Sequence, residues 1–393
     1  MTDPDVIVRV AARGEGATAD GRCVPLAAPG DRLMADGSLV QGAHHQVPPC
    51  RHFPECGGCQ LQHLDDAALA DFTRDRIVSA LEAQRVPLPD LAPVHLSPPR
   101  SRRRASLTAL RAGRRVLIGF KQERSHRIED MHECHVIRPE LFALVAPLRG
   151  LLVAMLSDRR TATVRMTLAD QGVDVSLEGV SSNTLATAEA LTSFAEQHGL
   201  ARLSIDDGLG PQTCWEPAPV TITLGGVAVP MPHDSFLQAT ADGEAALVAA
   251  VRESLDGAKI VADLFSGLGT FALSLQGKVY AAEASRDAVM ALKAAKPTIF
   301  AEHRDLYRRP LTTAELNRFD GVVLDPPRAG AEAQVRELAR ASVPHLAYVS
   351  CNPASFARDA KLLADGGYRL QRLWPVGQFR WSTHVELAAS FVR

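Results

Sequence analysis

Two cysteine patterns and a row of carboxylates are the residues of this chain whose types and spacing could do chemistry. Cys351 stands in the turn Ser350-Cys351-Asn352-Pro353, directly after the short apolar run His345–Ser350. A thiol at the end of such a strand, rather than inside it, is a candidate nucleophile. Asp263, Glu283 and Asp325 close other apolar runs, and Asp305 follows one shortly. Asp325 precedes Pro326-Pro327, whose rings stiffen the backbone and hold the carboxylate in a defined position. Glu283 follows a glycine turn (Gly267, Gly269) by about 20 residues, where a carboxylate can accept hydrogen bonds from ribose hydroxyls. Glu386 is flanked by Val385 and Leu387 and, taken by itself, reads as a surface acid of an edge strand.

The second cysteine pattern is C-x5-C-x2-C, formed by Cys50, Cys56 and Cys59 around Gly57-Gly58. Three converging thiolates need a fourth ligand to complete a tetrahedral sulfur site. Cys134, in Met131–Pro139, is the best candidate. Zinc with a histidine as fourth ligand, His52 or His63, is the alternative, and spacing does not separate zinc from iron–sulfur. Cys23 and Cys214 read as ordinary thiols.

The elements that must hold these groups begin with Lys259–Phe271, an apolar strand, a glycine turn and an apolar stretch that predicts a helix from Thr270. Strands are expected at Ile260–Leu264, Val279–Glu283, Thr298–Ala301, Gly321–Leu324, His345–Ser350 and Leu370–Pro375, with helices between most of them. That alternation means a parallel sheet with helices on both faces and ligands beyond the carboxyl ends of its strands. Residues up to about 43 are glycine-rich with β-like runs. Asp65–Gln84, Glu140–Leu156, Thr184–His198 and Ala241–Ser254 read as helices, and Thr161–Leu177 and Leu203–Leu224 as hairpin strands. The densest basic stretch is Arg100–Arg104 with Arg111, Arg114, Arg115, Lys121 and Arg124, interleaved with apolar residues as in strands carrying arginines on one side. Phosphate contact is expected there. The divisions expected are 1–45, 46–240 and 241–393.

Composition narrows the setting. The 393 residues, 46% hydrophobic and 22% charged, suit a globular protein of two or three domains. The net charge of -2 makes any RNA-binding surface local. No apolar run approaches about 18 residues, and the N-terminus lacks signal-peptide features, so a cytoplasmic monomer is expected. Seven cysteines in that compartment argue for metal or catalytic thiols over disulfides.

CRHFPECGGCQLQH, the lone Cys134, SFLQAT, DLFSGLGTF, DPPRAG, YVSCNPASFARD and THVEL together resemble the S-adenosylmethionine-dependent RNA uracil-C5 methyltransferases. The resemblance is to the iron–sulfur subgroup that acts on 23S ribosomal RNA. It implies an α/β fold: a C-terminal Rossmann-like class I methyltransferase sheet, a short TRAM-like β module and a central α+β RNA-binding domain. It further implies Cys351 as nucleophile and Glu386 as base. Gln238, Phe265, Thr270, Glu283, Asp305 and Asp325 would surround S-adenosylmethionine. Cys50, Cys56, Cys59 and Cys134 would hold a [4Fe-4S] cluster. Thr240 stands where the family usually has asparagine. A tRNA uracil methyltransferase, an exocyclic-amine methyltransferase and a non-catalytic iron–sulfur RNA-binding protein are the alternatives. The second fits poorly, because Arg328 and not an aromatic residue follows the Asp-Pro-Pro motif.

Overall fold

The computed structural model describes residues 3–123, 125–182 and 184–393. Arg124, one of the expected phosphate contacts, lies outside the described residues.

The N-terminal module is a three-stranded sheet of β1 (Ile7–Val10), β2 (Gly16–Thr18) and β3 (Cys23–Val24), followed by the ribbon β4 (Arg32–Leu33) and β5 (Leu39–Val40). Helix α1 (Asp66–Ala83) is capped by Asp65, whose side chain accepts the Ala68 N–H at 2.8 Å. Its buried face is Leu69, Phe72, Ile77 and Leu81, the stripe that helical spacing predicts. That stripe shares a core with Phe356, Leu363 and Leu373 of the C-terminal sheet region. The short strands β6 (Asp90–Leu91) and β7 (His95–Leu96) pair with that same sheet.

The central sheet is built from β8 (Arg104–Ala112), β9 (Arg115–Gly119), β10 (Thr161–Ala169), β11 (Gly172–Glu178), β12 (Arg202–Asp206) and β13 (Gln212–Trp215), in the order β13-β12-β11-β10-β8-β9. Between β9 and β10 the spacing predicts one helix, but there are two, α2 (Pro139–Ala143) and α3 (Val145–Met155). Pro147 explains the break. It has no N–H for the Ala143 carbonyl, so it is tolerated only in the first turn of a new helix. Helix α4 (Leu185–Gln197) starts at a Thr184–Thr187 capping box and makes the crossover between the parallel pair β11 and β12. A hairpin, β14 (Thr221–Leu224) and β15 (Val227–Pro230), leads to α5 (Ala241–Ser254).

The C-terminal sheet contains β16 (Ile260–Leu264), β17 (Lys278–Glu283), β18 (Phe300–His303), β19 (Gly321–Leu324), β20 (His345–Ser350), β21 (Arg369–Gly377) and β22 (Glu386–Val392). Helices α6 (Arg286–Ala295), α7 (Thr313–Leu316), α8 (Glu332–Leu338) and α9 (Pro353–Asp365) connect them. The strand order is β18-β17-β16-β19-β20-β22-β21-β6.

Two expectations are corrected here. The sheet is not wholly parallel: β22 runs antiparallel to both β20 and β21. And no helix opens at Thr270, only a single 3-10 turn over Ala272–Ser274. The glycine loop leaves too few residues before β17 for anything longer, and Asp263 occupies the first N–H of that turn, from Ala272, at 2.8 Å.

Candidate active site

Gln238, Phe265, Thr270, Glu283, Asp305, Asp325, Cys351 and Glu386 all line one cavity of about 520 Å³. It lies at the carboxyl ends of β16, β17, β19 and β20, within the size range of cofactor pockets.

Glu283 braces the glycine loop, accepting the N–H groups of Gly267 at 2.9 Å and Ser285 at 2.7 Å. Asp305 accepts from Tyr307 N–H at 3.0 Å. Phe265 holds a left-handed backbone, φ 65°, unusual for an aromatic residue, and its ring meets that of Tyr307 at 5.5 Å. The Gln238 amide donates to Asp325 at 3.2 Å. Thr240 caps α5, accepting from Gly243 N–H at 3.1 Å. Asparagine caps helices equally well, so this departure from the family pattern keeps the local bonding.

Glu386 is the largest surprise against its own sequence context. It is 4% exposed, not a surface acid. Antiparallel pairing sets Ser350 opposite Leu387, and the next residues along, Cys351 and Glu386, both line the cavity. Strand β22 therefore delivers its first residue to the edge where the parallel strands deliver their last.

The electrostatics of the cavity are those of acids crowded in a dry site. Burial pushes Cys351 up to about 11, with the negative charges of Glu386 and Asp325 adding and Arg328 opposing. Burial raises Glu386 to about 8 and Asp325 to about 7; beside Glu386, Asp325 adds to the rise while Gln378, Arg104 and Arg328 oppose it. The backbone at Arg328 is fixed through its carbonyl, which accepts from the Asn352 amide at 2.9 Å and the Ser355 hydroxyl at 3.0 Å.

Asp263 is fully buried, and its Oδ1 has no partner among the described residues. Burial raises it to about 8, opposed by the Ala272 N–H and reinforced by Asp325 and Glu283. Its folded pKa thus exceeds the unfolded one. The stability it contributes is full below about pH 4 and is lost as pH rises toward about 8. Asp263→Asn should remove that dependence. Unfolding free energies of wild type and variant from urea titrations are expected to diverge in the variant's favour by up to about 1.4 kcal/mol per pH unit across this window.

The outer face of the central sheet opens toward this cavity. A groove of about 440 Å³, lined among others by Arg102, Arg104, Arg165 and Thr167, shares Pro232, Asp234, Ser235 and Phe236 with it. Phe236 is 59% exposed, and the Arg104 guanidinium sits 4.6 Å above its ring. Not every arginine of the basic stretch faces this groove. Arg103 is buried, bonded to Glu244 at 2.5 Å and to the Gln238 carbonyl at 3.0 Å. Arg111 donates to the Val153 carbonyl. Arg114 and Arg115 lie exposed at the β8–β9 turn. Burial of Arg103 is a correction to the expected phosphate contact.

Cys50, Cys56, Cys59 and Cys134 line a second cavity. Gly57 lets their loop press on the strand beside it: a Cβ there would fall 2.2 Å from the Lys121 carbonyl oxygen. All four thiols are free. Burial, reinforced by the charges of the neighbouring cysteines, raises Cys56 to about 11 and Cys59 to about 12. Cysteines so placed would ionise together only with a compensating cation beside them. His52 is not available as a fourth ligand, because Glu129 takes Nδ1 at 3.0 Å and the His132 N–H takes Nε2 at 3.0 Å. His63 does not line this cavity. Among the described residues no three His, Cys, Asp or Glu side chains are grouped to hold one metal ion. No helix among them is long and apolar enough to cross a membrane.

Residues 297–392 match the family model for tRNA (uracil-5-)-methyltransferase. The 23S rRNA (uracil(1939)-C(5))-methyltransferase RlmD of Chromohalobacter salexigens is 33% identical over 88% of this chain and 76% of its own. The chain belongs to the S-adenosylmethionine-dependent RNA (uracil-C5) methyltransferase family. An uncharacterized RNA methyltransferase of Zymomonas mobilis is 49% identical over 98% of this chain and 99% of its own. The family fold also matches the Pyrococcus abyssi tRNA (uracil-54, C5)-methyltransferase, solved with S-adenosyl-L-homocysteine. The TM-score is 0.78 over 98% of both chains, at 23% identity. For this RNA (uracil-C5) methyltransferase, Gln378 and Arg328 are the residues that motif reading left without a role. Their only signal was position, one beyond the end of a strand and one inside DPPRAG.

Proposed function

We propose that this methyltransferase modifies a uridine of 23S ribosomal RNA in the cytoplasm by covalent catalysis through Cys351. The observation that carries the reading is that Cys351 and Glu386, at adjoining ends of β20 and β22, line one cavity together with the residues we assign to the donor. Uracil C5 is too poor a nucleophile to attack a methyl sulfonium directly. The Cys351 sulfur would add at C6, making C5 enolate-like; C5 would take the methyl group, and Glu386 would remove the C5 proton so that the thiolate leaves. The donor supplies an electrophilic methyl group. Gln238, Phe265, Thr270, Glu283, Asp305 and Asp325 are the residues we assign to hold it. Cys351 must lose a proton that its surroundings hold tightly, and Arg328 is the cation placed to favour the thiolate.

The groove beside Arg104 and Phe236 supports entry of RNA across the central sheet, with the target base leaving its stack to reach the cavity. We divide the labour as 1–45 for the β module, 46–240 for RNA and the metal centre, and 241–393 for methyl transfer, with α1, β6, β7 and Gln238 of the middle part serving the C-terminal sheet and its cavity.

Cys50, Cys56, Cys59 and Cys134 are proposed as ligands of a [4Fe-4S] cluster. What supports the reading is that all four cysteines line one cavity. Its chemistry would be to brace this loop. Cys134→Ser is expected to lose bound iron and acid-labile sulfide and several degrees of melting temperature, whereas zinc in the purified wild type would overturn the assignment.

The covalent reading is tested with RNA containing 5-fluorouridine. Fluorine at C5 blocks the last proton removal, so an adduct resistant to denaturation should accumulate on 23S rRNA fragments in the presence of S-adenosylmethionine. Methyl transfer without any adduct would sink the mechanism. Adducts on tRNA alone would move the target to tRNA, a reading the matched family model supports.

A further inference from the structure

Gln378 follows β21 directly and is 2% exposed. Both ends of its amide are bonded. Its Oε1 accepts the Ala239 N–H at 2.8 Å, and its Nε2 donates to Oε1 of Gln238 at 2.8 Å. Gln238 Nε2 donates in turn to Asp325 Oδ2 at 3.2 Å.

An isolated amide can be flipped to suit either kind of neighbour. Here the direction is forced from one end. A backbone N–H can only donate, so Ala239 draws Oε1 of Gln378 toward itself. The NH2 group is left for Gln238, which must then present its oxygen, and this leaves the Gln238 NH2 for Asp325. Ala239 itself cannot drift. Its carbonyl accepts from Arg103 N–H at 2.9 Å, while the Arg103 side chain holds the Gln238 carbonyl at 3.0 Å. Gly243, in the first turn of α5, makes the room: a Cβ there would lie 2.8 Å from the Gln378 Cβ.

We propose that Gln378 is a positioning residue that sets the direction of hydrogen bonding from Ala239 through Gln238 to Asp325. One buried side chain thereby orients two residues of the cavity that we assign to the methyl donor, and this rests on the proposed function.

Two variants separate the functions of the amide. Gln378→Met removes both ends at similar volume. Gln378→Glu keeps an acceptor for Ala239 but replaces the donor with a second carboxylate oxygen. In Gln378→Glu the Gln238 amide must invert and turn its oxygen on Asp325, so KM for S-adenosylmethionine should rise about tenfold, a factor worth about 1.4 kcal/mol. Gln378→Met frees the Gln238 amide without forcing it over, so its donor KM should rise by a smaller factor. In both variants the KM for RNA should stay at the wild-type value, a split that general loosening of the fold would not give. Gly243→Ala, which crowds Gln378 from outside, should move the donor KM in the same direction and serves if a Gln378 variant does not fold. Wild-type donor KM, or an equal rise in the KM for RNA, in any folded member of the set would overturn the proposal. Trapping with 5-fluorouridine RNA is run in parallel. The adduct forms before the base acts, so Gln378→Met should trap as fully as wild type. Absence of trapping in wild type itself would instead mark failure of the covalent reading, and the donor KM would still decide the Gln238–Asp325 part.

Discussion

Replacing Cys351 by alanine should lower kcat on the order of 10⁴-fold or more and abolish the 5-fluorouridine adduct, while binding of S-adenosylmethionine changes by no more than a few-fold. The size of the effect follows from the chemistry, because without addition at C6 no electron pair becomes available at C5. The selectivity follows from the structure. Cys351 is half-buried at the end of β20, so losing its sulfur removes few packing contacts. Glu283 and Asp305, the carboxylates proposed to hold the donor, are held by backbone N–H groups that do not involve it. Cys351→Ser should be nearly as inactive, since a hydroxyl in the same site is even harder to ionise than a thiol pushed up to about 11. Release of tritium from C5-labelled uridine RNA measures the loss, and equilibrium dialysis with the labelled donor measures what is retained. Residual turnover above about one part in 10³ in Cys351→Ala would remove this thiol from the reaction.

Glu386→Gln is expected to stop the reaction one step later. Addition and methyl transfer do not need the base, so this variant should accumulate a methylated protein–RNA adduct on ordinary uridine RNA, with kcat down about 10³-fold. A second effect runs the opposite way. The Glu386 charge is among the causes that raise Cys351, so neutral glutamine should let the thiol pKa fall. Alkylation of Cys351 by iodoacetamide near pH 8 should therefore be faster in Glu386→Gln than in wild type. General disorder of the site would not produce adduct accumulation together with this change. Slow alkylation combined with full turnover would exclude Glu386 as the base.

Much of this molecule is written locally. Apolar runs bounded by turns gave the strands Ile260–Leu264, Gly321–Leu324 and His345–Ser350 and the helix Ala241–Ser254 with the bounds the structure has. The stripe on α1 and the cap at Thr184 are likewise short-range patterns that act within one or two turns. The cysteine spacing brought Cys50, Cys56 and Cys59 together, and the lone Cys134 meets them across the chain.

What was not local was decided by pairing. An isolated strand pattern has the same period of two whether its neighbour is parallel or antiparallel, and whether it lies at an edge or in the middle. Hence Val385-Glu386-Leu387 looked like an edge strand with a surface acid. Only insertion of β22 between β20 and β21, running against both, buries Glu386 and sets it beside Cys351. The same non-local pairing brings β6, β7 and α1 to the C-terminal sheet although they precede the central one. It also turns Arg103 inward to hold Gln238. Gln378 has no motif because its role depends on a backbone N–H 139 residues away. Composition and periodicity determine which segments form strands and helices and which side chains are available for chemistry. Strand order and direction, which depend on hydrogen bonds between distant segments, determine which of those side chains meet.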